Sequence, residues 1–179
     1  MPRRTEGSEG RTSANKVTNR KSEMSDSCSR CGAPVRGGTA GCWNLFNELC
    51  ARDYGDPAYA AAHLLAVDAH ALQHPEDHGI KNNAYHLVSL CWLLECDGDP
   101  RLGNTPAWLH KPFDGIPDLP RLTPPPAGLR GAVTVADVVG AATPQEHRAR
   151  LYRWAQSVWE AWSAHHAWAR GFLAGIQNS

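Results

Sequence analysis

Two groups of side chains have the types and spacing of a metal site. Cys28 and Cys31 form a C-x2-C pair followed by Gly32, and Cys42 comes after ten intervening residues. The stretch "HLLAVDAHALQHPEDH", residues 63–78, carries His63, His70, His74 and His78. Thiolates and neutral imidazoles are the ordinary donors of tetrahedral zinc. In a C-x2-C-G turn two thiolates grip one ion while backbone N–H groups face the sulfurs, and a third cysteine suits the same site. The fourth donor is then Cys50, a histidine, or water in an open catalytic site. A redox pair has the same C-x2-C spacing, and unliganded thiols are the plain alternative. Cys91 and Cys96, in or at the end of an apolar stretch, read as core thiols.

Helical geometry limits what the histidines can share. With a turn of 100° and a rise of about 1.5 Å per residue, His63, His70 and His74 point within roughly 40° of one another. His63 and His74 are nevertheless roughly 16 Å apart along the axis, too far for one ion. Only His70 and His74 are placed to chelate together, and His78, beyond Pro75, reads as a solvated turn residue. Level-matching of neighbouring antiparallel helices brings Cys28, Cys31, Cys42, His70 and His86 toward the middle of this helix. Asp68 and Glu95 are the acids embedded in apolar helical stretches, and an unpaired buried carboxylate is costly, so each requires a partner. Asp68 fits three roles: orienting a metal-bound imidazole, a general base, or a plain ion pair or cap. His165 and His166 are adjacent, point about 100° apart, and so offer at most one ring to a common interior target.

The elements that must position these residues are helical. "WNLFNELCARDY" predicts a helix over about 43–54. Asp56 as N-cap and Pro57 at the first position predict a second over 57–74, ended by the His74–Pro75 pair. "NAYHLVSLCWLLE" predicts a third, about 81–96. Residues 97–132 are rich in proline and glycine and read as a long irregular connection tied down by Trp108, Leu109 and Phe113. "TVADVV" predicts a short helix capped by Thr134 and stopped by Gly140. Thr143, Pro144 and Glu146 make a capping box opening a last helix over 144–174, with Trp154, Val158 and Trp162 on one face. Period-two alternation is scarce, so the fold class is all-α: a four-helix-bundle-like domain over 24–174 with an N-terminal cysteine knuckle.

The 179 residues carry 18 basic and 18 acidic side chains. Residues 1–23 hold six basic and three acidic groups, net +3, which leaves −3 for the rest with histidines neutral. That segment is too poor in apolar residues to offset its ordering entropy, so it reads as a disordered tail, with Met24 the expected natural start. No charge run marks a nucleic-acid surface and no apolar run is long enough for a membrane span, leaving a protein partner or a second copy as the expected counterpart. Six cysteines without an export signal point to a reducing, cytoplasmic setting.

The motifs "CSRCGAP…GCWNLFNELCARDYGDPAY", "HLLAVDAHALQHP", "HLVSLCWLLE" and "WAQSVWEAWSAHH" together resemble an uncharacterised bacterial family, domain of unknown function 5946, from about Met24 to Phe172. The family has no established activity, so the resemblance supplies motifs and no mechanism. Its members begin just ahead of the C-x2-C, in keeping with Met24 as the start. The matching positions are Cys28, Cys31, Cys42, His63, Asp68, Gln73, His74, His86, Glu95, His165 and His166. Where this chain has His70 the family carries an aromatic residue, which shifts the expected ligands to His63, His74 and His86 beside the three cysteines.

Three functions follow from these residues. The first in weight is a zinc-stabilised binding or scaffold module. The second is a metal-dependent hydrolase-like enzyme, in which Asp68 or Glu95 takes a proton from metal-bound water and His165 or His166 stabilises an oxyanion. The third is a helical protein without metal. The sequence leaves open whether the chain is an enzyme. A closed four-donor site would favour the module, and an open His/Asp cavity the enzyme.

Overall fold

The computed structural model describes residues 26–115 and 119–177. The N-terminal tail expected over 1–23 lies outside them. Among the described residues the protein is all-α, with seven α-helices, three short 3-10 turns and no strand. The helices are α1 (Gly38–Gly55), α2 (His63–Gln73), α3 (Ile80–Glu95), α4 (Ala107–Gly115), α5 (Val135–Val139), α6 (Pro144–Ala161) and α7 (His166–Gln177).

The core is organised around α2, whose residues from Leu65 to Gln73 are buried except Val67. Such a helix needs cover on several sides. It packs against α3 through a tight turn and against α6, while α7 lies on α3, α5 on α1, and α4 bridges α3 and α7. Leu65, Leu72, Leu87, Leu90, Leu151 and Trp154 are fully buried where these helices meet. No described helix is long and apolar enough to cross a membrane.

Two expected helices are interrupted, each by contacts that propensity does not report. The helix read over 57–74 begins its regular α-turns only at His63, after a 3-10 turn at Ala60–Ala62. The segment after α3 inserts there: Leu64 N–H donates to the Pro100 carbonyl and Leu102 N–H to that of Ala60. The helix read over 144–174 breaks at Trp162 and a 3-10 turn, Ser163–His165, before α7. Trp162 is buried, and its indole N–H donates to the Leu72 carbonyl at 3.2 Å, so anchoring on α2 redirects the chain onto α3. Two of the three expected caps are present: Thr134 and Asp137 form a capping box, and Thr143 accepts from Glu146 N–H, whereas Asp56 accepts from Ala58 N–H in the turn ahead of α2 and caps no α-helix.

Candidate metal centre

Four donors from three parts of the chain meet at the C-terminal end of α2. Cys28 and Cys31 come from a tight knuckle in which Cys28 N–H donates to the Ala33 carbonyl at 2.8 Å and Gly32 N–H to that of Cys28 at 2.9 Å. Gly32 sits at φ +82°, left-handed backbone that glycine adopts without strain. Cys42 lies in the first turns of α1, just after Gly41. A Cβ at position 41 would come within 2.0 Å of the Arg36 carbonyl oxygen, so only glycine lets the knuckle approach α1 this closely.

His74 supplies the fourth donor as the non-helical residue between the end of α2 and Pro75. Its Nδ1–H donates to the His70 carbonyl at 2.8 Å, which turns Nε2 toward the sulfurs. Nε2 lies 3.5 Å from Cys28 Sγ and 3.6 Å from Cys42 Sγ, and the Cys31 and Cys42 sulfurs are 3.7 Å apart. The sulfur separation is far beyond the roughly 2.05 Å of a disulfide. All four residues are between 0 and 2% exposed. Their donor atoms lie within 4.8 Å of one another, a grouping that could hold a metal ion.

The three sulfurs and the imidazole perturb one another strongly, with Cys28 pushed down and Cys42 pushed up by their mutual hydrogen bonds. Burial works against a charged His74, yet the Cys28 and Cys31 sulfurs and the His70 carbonyl raise its pKa to about 9. Cys28 is held far below the ordinary thiol value by hydrogen bonds from the Cys31 and Cys42 thiols, against burial and with help from His74. The Thr39 hydroxyl stands 3.7 Å from the same sulfur.

A strap from the proline-rich connection covers the knuckle. Gly128 N–H donates to the Arg30 carbonyl at 2.7 Å, and Arg30 pairs with Asp77. Arg130, buried behind the strap, donates to the Gln73 carbonyl at 3.1 Å, to Glu76 at 2.8 Å and to the Pro125 carbonyl at 3.0 Å. Of the final carbonyls of α2, which a helix end leaves short of intrahelical partners, those of His70 and Ala71 share the His74 backbone N–H, while that of Leu72 is taken by the Trp162 indole and that of Gln73 by Arg130.

The other candidate residues lie outside this cluster. His63 Nδ1 bonds the buried Asp53 carboxylate at 3.0 Å, and His86 Nδ1 bonds Asp68 at 2.8 Å. Asp68 also accepts from the Ser89 hydroxyl at 2.6 Å. Glu95 forms a two-pronged pair with Arg170, at 2.6 and 2.8 Å, and accepts from the Trp159 indole at 2.9 Å. His165 donates to the Thr123 carbonyl, while His166 stacks on Trp159 at 3.7 Å and donates to its carbonyl. His70 is buried but is not a donor to the cluster. It stacks flat on Phe46 at 3.9 Å and against His74 at 4.1 Å, as an aromatic side chain would. Burial drives its pKa down to about 2, and its Nε2 has no hydrogen-bond partner.

A buried network that the sequence reading missed joins α1 to α6. His147, fully buried, places Nε2 3.0 Å from Asp53, and its Nδ1 lies 2.6 Å from the Arg52 guanidinium. Because Arg52 can only donate, Nδ1 is an acceptor, and the proton of the neutral ring belongs on Nε2, facing Asp53. Burial works to raise the Asp53 pKa, but the bonds from His147 and His63 outweigh it and hold the carboxyl below its ordinary range. The available signal was spacing: His147, Leu151, Trp154 and Val158 follow one helical stripe, and three of them are plainly apolar.

No curated protein and no solved structure matches the chain. The model of a family of unknown function, DUF5946, matches residues 26–163, well over half the chain. With its knuckle, helices α1 to α6 and its Cys/His cluster inside that span, this chain belongs to the DUF5946 family.

Proposed function

We propose that the protein is a zinc-stabilised helical module for binding or scaffolding, in which one Zn2+ held by Cys28, Cys31, Cys42 and His74 fastens the knuckle and the start of α1 to the end of α2. The observation that carries this reading is the donor spacing. A tetrahedron with Zn–S near 2.3 Å and Zn–N near 2.0 Å has sulfur–sulfur edges of about 3.8 Å and sulfur–nitrogen edges of about 3.5 Å. The distances here are 3.7 Å for sulfur–sulfur and 3.5 and 3.6 Å for sulfur–nitrogen. Three thiolates and an imidazole are a soft donor set of the kind that selects zinc. The backbone carbonyl on Nδ1 of His74 is the outer partner that a zinc-bound histidine ordinarily has.

Four protein donors, all buried, leave no coordination position for substrate, which favours a structural ion over a catalytic one. Six unpaired thiols fit a reducing, cytoplasmic protein. The counterpart of such a module is a protein partner or a second copy. The test is metal content by mass spectrometry on protein purified without chelator or affinity tag, for wild type and Cys28→Ala/Cys31→Ala. One zinc per chain, lost in the variant, is the expected result. Zinc retained by the variant would move the ion to the bundle histidines, and no metal in either protein would overturn the reading.

A further inference from the structure

We propose that His78 and His86 hold a second divalent metal ion, separate from the cysteine cluster, with Zn2+ the ion expected and open positions left for water or a substrate oxygen. Asp68 prepares the site from behind. Its side chain is only 4% exposed, a costly place for a carboxylate, yet both oxygens are engaged: Oδ1 by His86 Nδ1 at 2.8 Å and Oδ2 by the Ser89 hydroxyl at 2.6 Å. An ionised carboxylate only accepts, so His86 Nδ1 carries the proton and the lone pair of the neutral ring lies on Nε2. An acid behind the far nitrogen is the outer partner that orients a metal-bound imidazole and raises its basicity.

His78, half-buried, packs against that ring from the turn after Pro75. Its backbone N–H donates to the Pro75 carbonyl at 3.3 Å, and the Asn83 amide donates to the carbonyls of Pro75 at 3.0 Å and His78 at 3.5 Å, so the turn is tied to α3. The two ring centres are 5.4 Å apart with their planes at 61°. An ion about 2.0 Å from each nitrogen lies about 3.2 Å from each ring centre, which sets two imidazoles on a tetrahedral ion about 5 Å apart. Stacked rings are closer and flatter, as His70 and His74 are at 4.1 Å and 28°. Among the described residues, hydrogen bonds reach neither the His78 ring nitrogens nor His86 Nε2. His78 borders a cavity of about 490 Å3 and His86 one of about 320 Å3, so the pair is approached from two sides. Imidazole donors suit zinc, and fewer than four protein donors leave coordination positions open. With two donors against the cluster's four, this site is the weaker one and is filled by added metal.

The probe is Zn2+ alone, added to the full chain after the cysteine cluster has been filled, and followed by titration calorimetry and by NMR of labelled histidines. The expected result is a second, weaker equivalent, with movement of the His78 and His86 ring resonances and none for His63 or His147. His86→Gln and His78→Ala each weaken that equivalent about tenfold or more. His78→Ala leaves the bonds of Asp68 to His86 and Ser89 intact, and so serves if the first variant does not fold by circular dichroism. Asp68→Asn weakens it about tenfold and changes the His86 ring nitrogen shifts, because the fixed tautomer is lost; general destabilisation would not alter those shifts. No second equivalent in wild type would overturn the proposal, as would one undiminished in both histidine variants. A chain that took up only the weak equivalent, and lost it in His78→Ala, would support this site while sinking the cysteine reading, so the two failures are distinguishable.

Discussion

The Trp154 indole N–H, contributed by α6, donates to Gln73 Oε1 at 3.0 Å in a fully buried contact. The amide nitrogen of the same Gln73 donates to the carbonyls of Arg130 at 3.2 Å and Val133 at 2.9 Å. One side chain therefore satisfies three polar groups on two segments, which also meet where Val133 N–H donates to the Ser157 hydroxyl of α6 at 3.2 Å. Gln73→Leu keeps the volume and strands all three, so we expect a loss of roughly 2–4 kcal/mol in urea unfolding. Trp154→His tests the same junction less cleanly because it also opens a cavity. A loss below about 0.5 kcal/mol for Gln73→Leu would mean that water or a rotated partner replaces it.

A metal ion held by the Cys/His cluster would couple to folding, because the donors come from separate segments. Cys42→Ser is expected to abolish zinc binding and to lower the melting temperature by about 10 °C when zinc is well above its dissociation constant. With a strong chelator present, wild type and variant should melt together. A variant that still melted well below wild type under chelator would show that Cys42 acts through packing instead. Gly41→Ala should instead lower the melting temperature with and without chelator, since the added Cβ meets the Arg36 backbone and the Val35 side chain.

His70 offers a substitution expected to stabilise. Its buried Nε2 is unpartnered, and an unsatisfied buried polar atom costs roughly 1–3 kcal/mol. Phe in its place keeps the stack on Phe46 and leaves the backbone carbonyl that orients His74. His70→Phe should retain zinc and raise stability by about 1 kcal/mol. Loss of zinc in this variant would reveal a role for the His70 ring in metal binding.

Asp53 gives a pH-dependent prediction. Its folded pKa lies below the ordinary value of 3.8, so the stability it contributes is present above that value and is lost as the pH falls through the depressed folded one. Asp53→Asn leaves the buried His63 and His147 rings facing a neutral amide in place of the carboxylate and should cost about 1–3 kcal/mol near neutral pH. The gap between wild type and variant should close on acidification below 3.8. Denaturant midpoints for the two proteins, taken across that range, check both the size and the sign. A gap that widened with acid would reverse the assignment.

The all-α class was legible because the apolar spacing repeats with a helical period from Trp43 to Phe172. The three cysteines were legible too, since C-x2-C-G and a third thiol have few other uses in a chain of this kind. Which histidine meets them was harder. Level-matching put the meeting point near the middle of α2, whereas it lies a turn later, at His74, because the knuckle sits over the end of the helix. The same reasoning did place His86 opposite Asp68. The breaks at Ala62 and Trp162 were not readable, because each depends on a hydrogen bond to a distant carbonyl or amide. Asp53, Arg52 and His147 were passed over because charged residues on helices usually face water, and only their mutual packing makes burial tolerable.

The strap over the knuckle bears on how fast a bound ion could leave. Gly128 is bonded to the Arg30 carbonyl and Arg30 is paired with Asp77, so we expect a chelator to reach the sulfurs only after that segment lifts. Zinc transfer to a chelator should then become independent of chelator concentration at high excess, its limiting rate equal to the rate of lifting. Shortening the strap or cutting the Arg30 pair would raise that ceiling while leaving the equilibrium affinity nearly unchanged.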